Sequence, residues 1–248
     1  MKKVINSIRK NPFLSIASAV LLGYIVFMLS RYSARAFLNW FDPMLKLDFY
    51  MKNIVVKVFI LVYSILAILL INGGNLKGYG FNFSVNIKYT GLILKTFFIT
   101  LASVIFGSIL FMGILNRVFP TGNSAGFPEP KSLLEMILTV WVWSSLCEEI
   151  LVRGLVQSFI QNWKQYKLLK LSVPVIVSGL FFGSMHLSLI SAGMGAWFVT
   201  FTVFNTTIIG TMAAYYREKG ESLIPAFWVH FIANFAGSIP LIIKILLT

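Results

Sequence analysis

Two adjacent carboxylates and a guanidinium lie within one long apolar stretch of the chain. Glu148, Glu149 and Arg153 occur between Leu133 and Trp163, where most of the other side chains are apolar. Burying a charge within a membrane costs several kcal/mol or more. Charges retained at such a place are usually paired with one another or take part in chemistry. These three residues are therefore the first candidates for a functional site.

The spacing of the three charged residues separates their roles. Glu149 and Arg153 are four residues apart, so they share a helix face and are predicted to form an ion pair. Glu148 points about 100° away from Glu149 on a helix of about 3.6 residues per turn. One carboxylate can thus be structural, while the other is free for chemistry.

The chain has only two histidines, and each lies in a separate apolar stretch. A rise of about 1.5 Å per residue places Glu148 and His186 roughly 20 Å, and His230 about 14 Å, from the inner membrane face. Phe182 shares a helix face with His186, and Asn234 shares one with His230. A lone buried histidine is more often a packing residue. Two histidines near the level of a glutamate pair favour a shared polar site inside the membrane.

This set of side chains could hydrolyse a peptide bond. Glu148, helped by His186, could accept a proton from water. His230 and Asn234 could donate hydrogen bonds to the developing oxyanion. A zinc site on Glu148, His186 and His230 is the alternative, since one Glu and two His are a known zinc set. No His-Glu-x-x-His helix is present and Asn234 is a poor zinc ligand, so no cofactor is firmly predicted and a metal-free site is favoured.

Composition indicates an integral membrane protein. Of 248 residues, 58% are hydrophobic and 12% are charged, whereas soluble domains have about 25% charged residues. We predict an all-α integral membrane protein, a single transmembrane domain over 1–248 with a bundle of about seven to eight transmembrane helices. The predicted spans are 12–30, 53–71, 91–115, 133–163, 174–190, 197–216 and 222–235, with a broken continuation or half-helix after Pro240.

Several segments between and beside the spans carry their own expectations. Arg31–Lys52 is predicted to be an interfacial segment that rests on the bilayer, and 118–131 a loop. Lys57 is expected to snorkel from the end of its span. Arg217–Glu221 is expected to be a tight polar turn. The lone Cys147 excludes an intramolecular disulfide and is predicted to be a packing residue.

The net charge of +13 comes from lysines and arginines that mostly lie between the apolar runs. Cytoplasmic loops collect such residues, so this charge does not indicate nucleic acid binding. The basic 164–170 loop and the basic N-terminus are predicted to be cytoplasmic, in a multi-pass protein of the cell membrane.

Three short motifs together resemble the CAAX-protease and bacteriocin-processing (CPBP, or Abi) family of intramembrane endopeptidases. They are residues 148–154 (EEILVRG), 182–186 (FGSMH) and 230–234 (HFIAN). The resemblance extends over about 133–234, with Val152 where phenylalanine is common. It implies a catalytic core over 133–236.

The resemblance also implies roles. Glu148 would be the general base beside His186, and His230 with Asn234 would bind the oxyanion. Structural support would come from the residues Glu149, Arg153 and Phe182. Substrates would be peptides or lipidated proteins at the bilayer, in prenyl-protein processing or in bacteriocin maturation or immunity. The family was first described as metalloendopeptidases, which keeps the zinc alternative open.

Two other function classes remain open at this stage. A non-catalytic bacteriocin-immunity or scaffold protein could keep the same residues as a buried polar network that fixes helix packing. An ion- or proton-coupled transporter could use intramembrane Glu and His as an ion path. The chain lacks the repeated halves that many transporter folds show.

Overall fold

The computed structural model describes residues 2–83, 86–121 and 126–247. Residues 84–85 and 122–125 fall in predicted loops and, like 1 and 248, lie outside the described residues. The predicted class of an all-α membrane protein is confirmed. Within the described part of the chain, five helices are long and apolar enough to cross a membrane, or six if one bent pair counts as a single span.

The helices follow one another along the chain, with longer connections at 73–88, 119–132 and 158–172. Their bounds are α1 Lys2–Lys10, α2 Pro12–Leu45, α3 Phe49–Asn72, α4 Tyr89–Val118, α5 133–157, α6 Val173–Met185, α7 Ala196–Gly220, α8 Leu223–Gly237 and α9 Ile239–Leu247. A 3₁₀ turn, Gln161–Trp163, and a small antiparallel pair, β1 Lys167–Leu168 and β2 Leu171–Ser172, join α5 to α6. Each predicted span thus corresponds to a helix of the bundle.

The predicted interfacial segment Arg31–Lys52 is not a separate element, because most of it belongs to the first long helix. Helix α2 continues without a break through Arg31 to Leu45, and its 34 residues make it about 50 Å long. After Pro12 at its start, the only proline within the helix is Pro43, less than one turn from its end. The Arg31 guanidinium donates a hydrogen bond to Ser188 Oγ at 2.9 Å, so it has a polar partner within the protein.

The predicted turn at Arg217–Glu221 is wrong, because α7 remains helical to Gly220. Arg217 is buried and donates to Ser158 Oγ at 2.6 Å and to Gln161 Oε1 at 3.2 Å. These bonds explain how the charged Arg217 can remain buried within the last turns of α7. The chain reverses at Glu221, whose φ is 51°.

The predicted break near Gly237 and Pro240 is confirmed. Helix α9 leaves the end of α8 at an angle of 52°. The Ser238 hydroxyl donates to the carbonyl of Asn234 at 2.7 Å, which ties the bend to the last turn of α8.

Helices α6 and α7 approach closely through two glycines of α6, four residues apart. A Cβ atom at Gly179 would lie 2.2 Å from Thr211 Oγ1 and 3.0 Å from the Thr211 Cα and N atoms. A Cβ atom at Gly183 would lie 1.9 Å from Thr207 Oγ1. Small residues at this spacing let two helix backbones approach within a membrane. The contact holds α6, and therefore the His186 that follows it, against α7.

We predict that Gly179→Ala destabilises the bundle by about 1–3 kcal/mol, because the added methyl group meets backbone atoms that cannot rotate away. Gly91→Ala on α4 is the matched control, since outside its own helix backbone no described atom lies within 4 Å of a Cβ atom there. That change should leave stability equal or raise it by about 0.4–1 kcal/mol. Thermal unfolding of the purified variants in detergent measures both, and equal melting temperatures would contradict the prediction.

Candidate active site

Helix α5 lies at the centre of the bundle and carries both glutamates. It packs against α2, α3, α6 and α8, and all eight residues of its last stretch, Ile150–Gln157, are buried. A single α-helical turn, Ser145–Glu149, lies between two π-helical stretches, Ile137–Ser144 and Ile150–Gln157. Such π-helical geometry is frequent at functional sites. The two carboxylates therefore lie at the junction between two kinds of helix, in the interior of the protein.

The predicted ion pair between Glu149 and Arg153 is confirmed. Arg153 Nη1 lies 2.8 Å from Glu149 Oε1, and their side chains are 0% and 1% exposed. Arg153 Nη2 donates to the carbonyl of Gly210 at 2.6 Å, and its guanidinium lies 4.8 Å from the centre of the Phe182 ring. Three different elements thus surround this buried cation.

His230 of α8 contacts both glutamates. Its Nδ1 donates to Glu149 Oε1 at 2.9 Å, because a carboxylate oxygen paired with Arg153 can only accept. Its Nε2 lies 3.5 Å from Glu148 Oε2, which is longer than an ordinary N–H···O hydrogen bond. One imidazole therefore links the structural carboxylate to the second carboxylate.

His186 begins a 3₁₀ segment, His186–Ala192, instead of lying within a longer α-helix as predicted. Its Nδ1 donates to the carbonyl of Phe182 at 2.9 Å, so in the neutral ring Nε2 is left as an acceptor. The 3₁₀ segment is held to α2 by the bond from Arg31 to Ser188. The shift from α to 3₁₀ geometry at this residue has no signal in the apolar pattern.

The Phe182 ring lies between the two histidines. Its centre is 5.1 Å from the His186 ring and 5.1 Å from the His230 ring, in edge-to-face contacts. The residue is 1% exposed. Phe182 thus fixes the separation of the two imidazoles while its face contacts Arg153.

Asn234 lies one turn after His230 and joins α8 to α5. Its Nδ2 donates to the carbonyl of Val140 at 3.2 Å and to Ser145 Oγ at 3.0 Å. Both amide hydrogens therefore have acceptors on α5 in this structure. The sequence placed Asn234 at the site but did not indicate these bonds.

Lys57 of α3 is the site residue that sequence reasoning missed. Its ammonium contacts Glu148 Oε1, and the two side chains are 11% and 9% exposed, so the expected snorkelling of Lys57 is wrong. The same contact shows that Glu148, which was expected to be the free carboxylate, has a charged partner. The signal was available, because a lysine within an apolar span usually has a partner, but the sequence could not say that α3 lies beside α5.

The alternative zinc set of Glu148, His186 and His230 does not fit this arrangement. The described residues include no group of three or more His, Cys, Asp and Glu side chains that could hold a metal ion. The Lys57 ammonium lies at Glu148 and the Arg153 guanidinium lies at Glu149. Each carboxylate is thus already neutralised by a cation, which would repel a divalent metal at the same position.

Cys147 is fully buried among apolar side chains. This confirms its prediction as a packing residue.

We predict that Arg153→Met destabilises the protein by about 3–5 kcal/mol, because it leaves the Glu149 carboxylate buried without its cation. The double variant Glu149→Gln/Arg153→Met should recover part of this loss. Arg35→Met is the matched control, since Arg35 is exposed on α2, and should change stability by no more than about 0.5 kcal/mol. Thermal unfolding in detergent measures all three variants. An Arg153→Met protein as stable as the control would contradict the importance of the pair.

Comparison with known proteins agrees with the three motifs. Residues 130–236 match the family model of type II CAAX prenyl endopeptidase Rce1-like proteins. Comparisons with curated proteins and with solved structures gave no match. The matched segment contains Glu148, His186, His230 and Asn234, whereas Lys57 lies outside it. Over residues 130–236 this membrane protein is therefore similar to the type II CAAX prenyl endopeptidase Rce1-like proteins, in agreement with the resemblance of its three motifs.

Proposed function

We propose that this protein is an intramembrane endopeptidase that cleaves a peptide bond in a membrane-associated or lipidated substrate by means of a water activated by Glu148. The observation that carries the proposal is the division of labour between the two glutamates. Glu149 Oε1 is committed to Arg153 and to His230 Nδ1, and Glu149 Oε2 is buried without a hydrogen-bond partner among the described residues. The Glu149 side chain is 1% exposed and that of Glu148 is 9% exposed, so Glu148 is the carboxylate that water can reach. The second oxygen of Glu148 faces His230 Nε2 without a short hydrogen bond.

Glu148 acts as the general base in this proposal. Lys57 holds Oε1, which leaves Oε2 to accept a proton from water while the water oxygen attacks the carbonyl carbon of the scissile bond. As the C–N bond breaks, Glu148 returns that proton to the leaving nitrogen. The products are a new carboxyl terminus and a new amino terminus. No step requires a metal ion.

His186 helps to hold the attacking water. Its Nδ1–H is committed to the Phe182 carbonyl, so the neutral ring offers Nε2 as a hydrogen-bond acceptor. An acceptor fixed by packing against Phe182 orients the water at no further entropic cost during the reaction.

His230 and Asn234 are assigned to the oxyanion. Because His230 Nδ1 donates to Glu149, its Nε2 can donate to the oxyanion only when the imidazole carries both protons. Donors placed where negative charge develops stabilise a tetrahedral intermediate. The Asn234 amide now bonds to Val140 and Ser145, so one of these bonds must be exchanged when the oxyanion forms. The Ser145 hydroxyl is the easier partner to exchange, because it is a side chain that can rotate.

The outer surface of the bundle agrees with a protein that meets its substrate within the bilayer. Apolar side chains are exposed along the outward faces of the spans, as lipid contact requires. They include Leu21, Ile25, Leu66, Leu70, Phe98, Ile105 and Phe106.

We further infer a catalytic core over 133–236, within a single transmembrane domain of the cell membrane whose N-terminus is cytoplasmic.

We predict that Glu148→Gln lowers the rate of peptide cleavage by about 10²–10⁴-fold, because glutamine cannot accept a proton from water. Glu129→Gln is the matched control, since its side chain is 63% exposed, and should retain full activity. The measurement is cleavage of a library of peptides, with and without a lipid anchor, by purified protein in proteoliposomes, together with thermal unfolding. Parallel reactions with a chelator should proceed at the same rate.

Two results would reject the proposal. Cleavage by Glu148→Gln at the rate of the unmodified protein would remove Glu148 from the chemistry. A folded, unmodified protein that cleaves no peptide, while both forms still protect cells against a bacteriocin, would favour the non-catalytic immunity role.

A further inference from the structure

We propose that Lys57 is a positioning residue for the general base, so that the first half of the chain contributes a functional group to the active site. The proposal rests on the proposed function, because it assigns Lys57 a role through Glu148. Lys57 lies on α3, well outside the 130–236 segment that matches the family model. No motif of the matched segment therefore includes this residue.

The contact between Lys57 and Glu148 is one of two aligned polar contacts between α3 and α5. Asn53 Nδ2 donates to Ser144 Oγ at 3.3 Å, and Lys57 contacts Glu148 one turn further along. In both helices the two partners are four residues apart, so each pair lies on one helix face. This repeat fixes the register of α3 against the turn that carries Glu148.

A further bond between the same helices supports this register. The indole Nε1 of Trp143 donates to the carbonyl of Ile54 at 3.5 Å. The three contacts hold Lys57 beside Glu148 through the helix backbones, and do not depend on the lysine side chain alone.

Lys57 is the cation that belongs to Glu148 among the described residues. The charged and titratable groups near Glu148 are His186, His230, Lys57 and, on its own helix, Glu149 and Arg153. Arg153 bonds to Glu149 and to the Gly210 carbonyl. A carboxylate that is 9% exposed cannot rely on water for its stabilisation.

The geometry explains how the lysine could act on the reaction. With Oε1 held by the ammonium, the carboxylate plane is fixed and Oε2 is directed towards His230. Without the ammonium, the carboxylate is free to rotate towards other donors, which misplaces the base. A misplacement of about 1 Å at a reacting group can cost about 100-fold in rate.

The test compares three lysine variants with the unmodified protein, using the substrate that the protein cleaves. Lys57→Met keeps the apolar stem but removes the charge, and Lys57→Arg keeps the charge. Lys95→Met is the matched control, because Lys95 also lies within a membrane-spanning helix, α4, but its side chain is exposed. The measurements are kcat, KM and the melting temperature in proteoliposomes or detergent.

We expect Lys57→Met to lower kcat by about 10- to 100-fold and to change KM by less than about threefold, since the lysine does not contact substrate in this proposal. Lys57→Arg should restore part of kcat, and Lys95→Met should match the unmodified protein. In a Glu148→Gln background, Lys57→Met should cause no further loss of the residual rate, because both changes act through the same group.

Unchanged kcat in Lys57→Met would overturn the positioning role while leaving the proposed function intact. The same holds if Lys57→Met loses activity only in proportion to its loss of folded protein. If Lys57→Met does not fold, Lys57→Gln is measured instead. Its side chain is neutral and one bond shorter than that of lysine, so it cannot hold Glu148 Oε1 as the ammonium does, and unchanged kcat there also overturns the role. An unmodified protein without cleavage activity would reject the proposed function itself, and the role of Lys57 with it.

Discussion

The need to neutralise two adjacent carboxylates inside an apolar bundle governs the structure around the site. Each carboxylate has its own cation: Arg153 from the same helix and Lys57 from a different one. The local pair is set by a spacing of four residues, whereas the second requires α3 to lie beside α5. The positions of α3, α5 and α8 are therefore linked by electrostatics as well as by apolar packing, because leaving either charge unpaired would be strongly destabilising.

The two cations leave the glutamates in different situations, although the residues are neighbours in the chain. Glu149 Oε1 accepts from both Arg153 and His230, so it serves as a fixed centre. Glu148 Oε1 is held by Lys57, while Oε2 has only the longer approach of His230 Nε2. This difference fits the proposed role of Glu148 as a general base, since a reacting group must be oriented and still able to accept a proton.

The first two transmembrane helices contribute to the site more than their lack of motifs indicates. Helix α2 anchors the segment after His186 through Arg31 and Ser188. It also contacts the second motif directly, where the Tyr24 hydroxyl donates to Ser184 Oγ at 2.6 Å. Helix α3 supplies Lys57. The matched segment thus depends on flanking helices for the orientation of both His186 and Glu148, because buried polar groups are held in place only when their partners are also held.

The sequence by itself determined the class of the protein, the approximate spans, the ion pair of Glu149 with Arg153 and the residues of the three motifs. These properties depend on composition and on spacings within one helix, which the chain displays directly. Only the tertiary structure decided that Lys57 contacts Glu148, that Asn234 bonds to α5, that α2 continues through Arg31 and that His186 begins a 3₁₀ segment. Each of these depends on which distant helix lies alongside. The sequence of an apolar span does not show which of its faces contacts another helix, because lipid and a neighbouring helix are equally apolar surroundings.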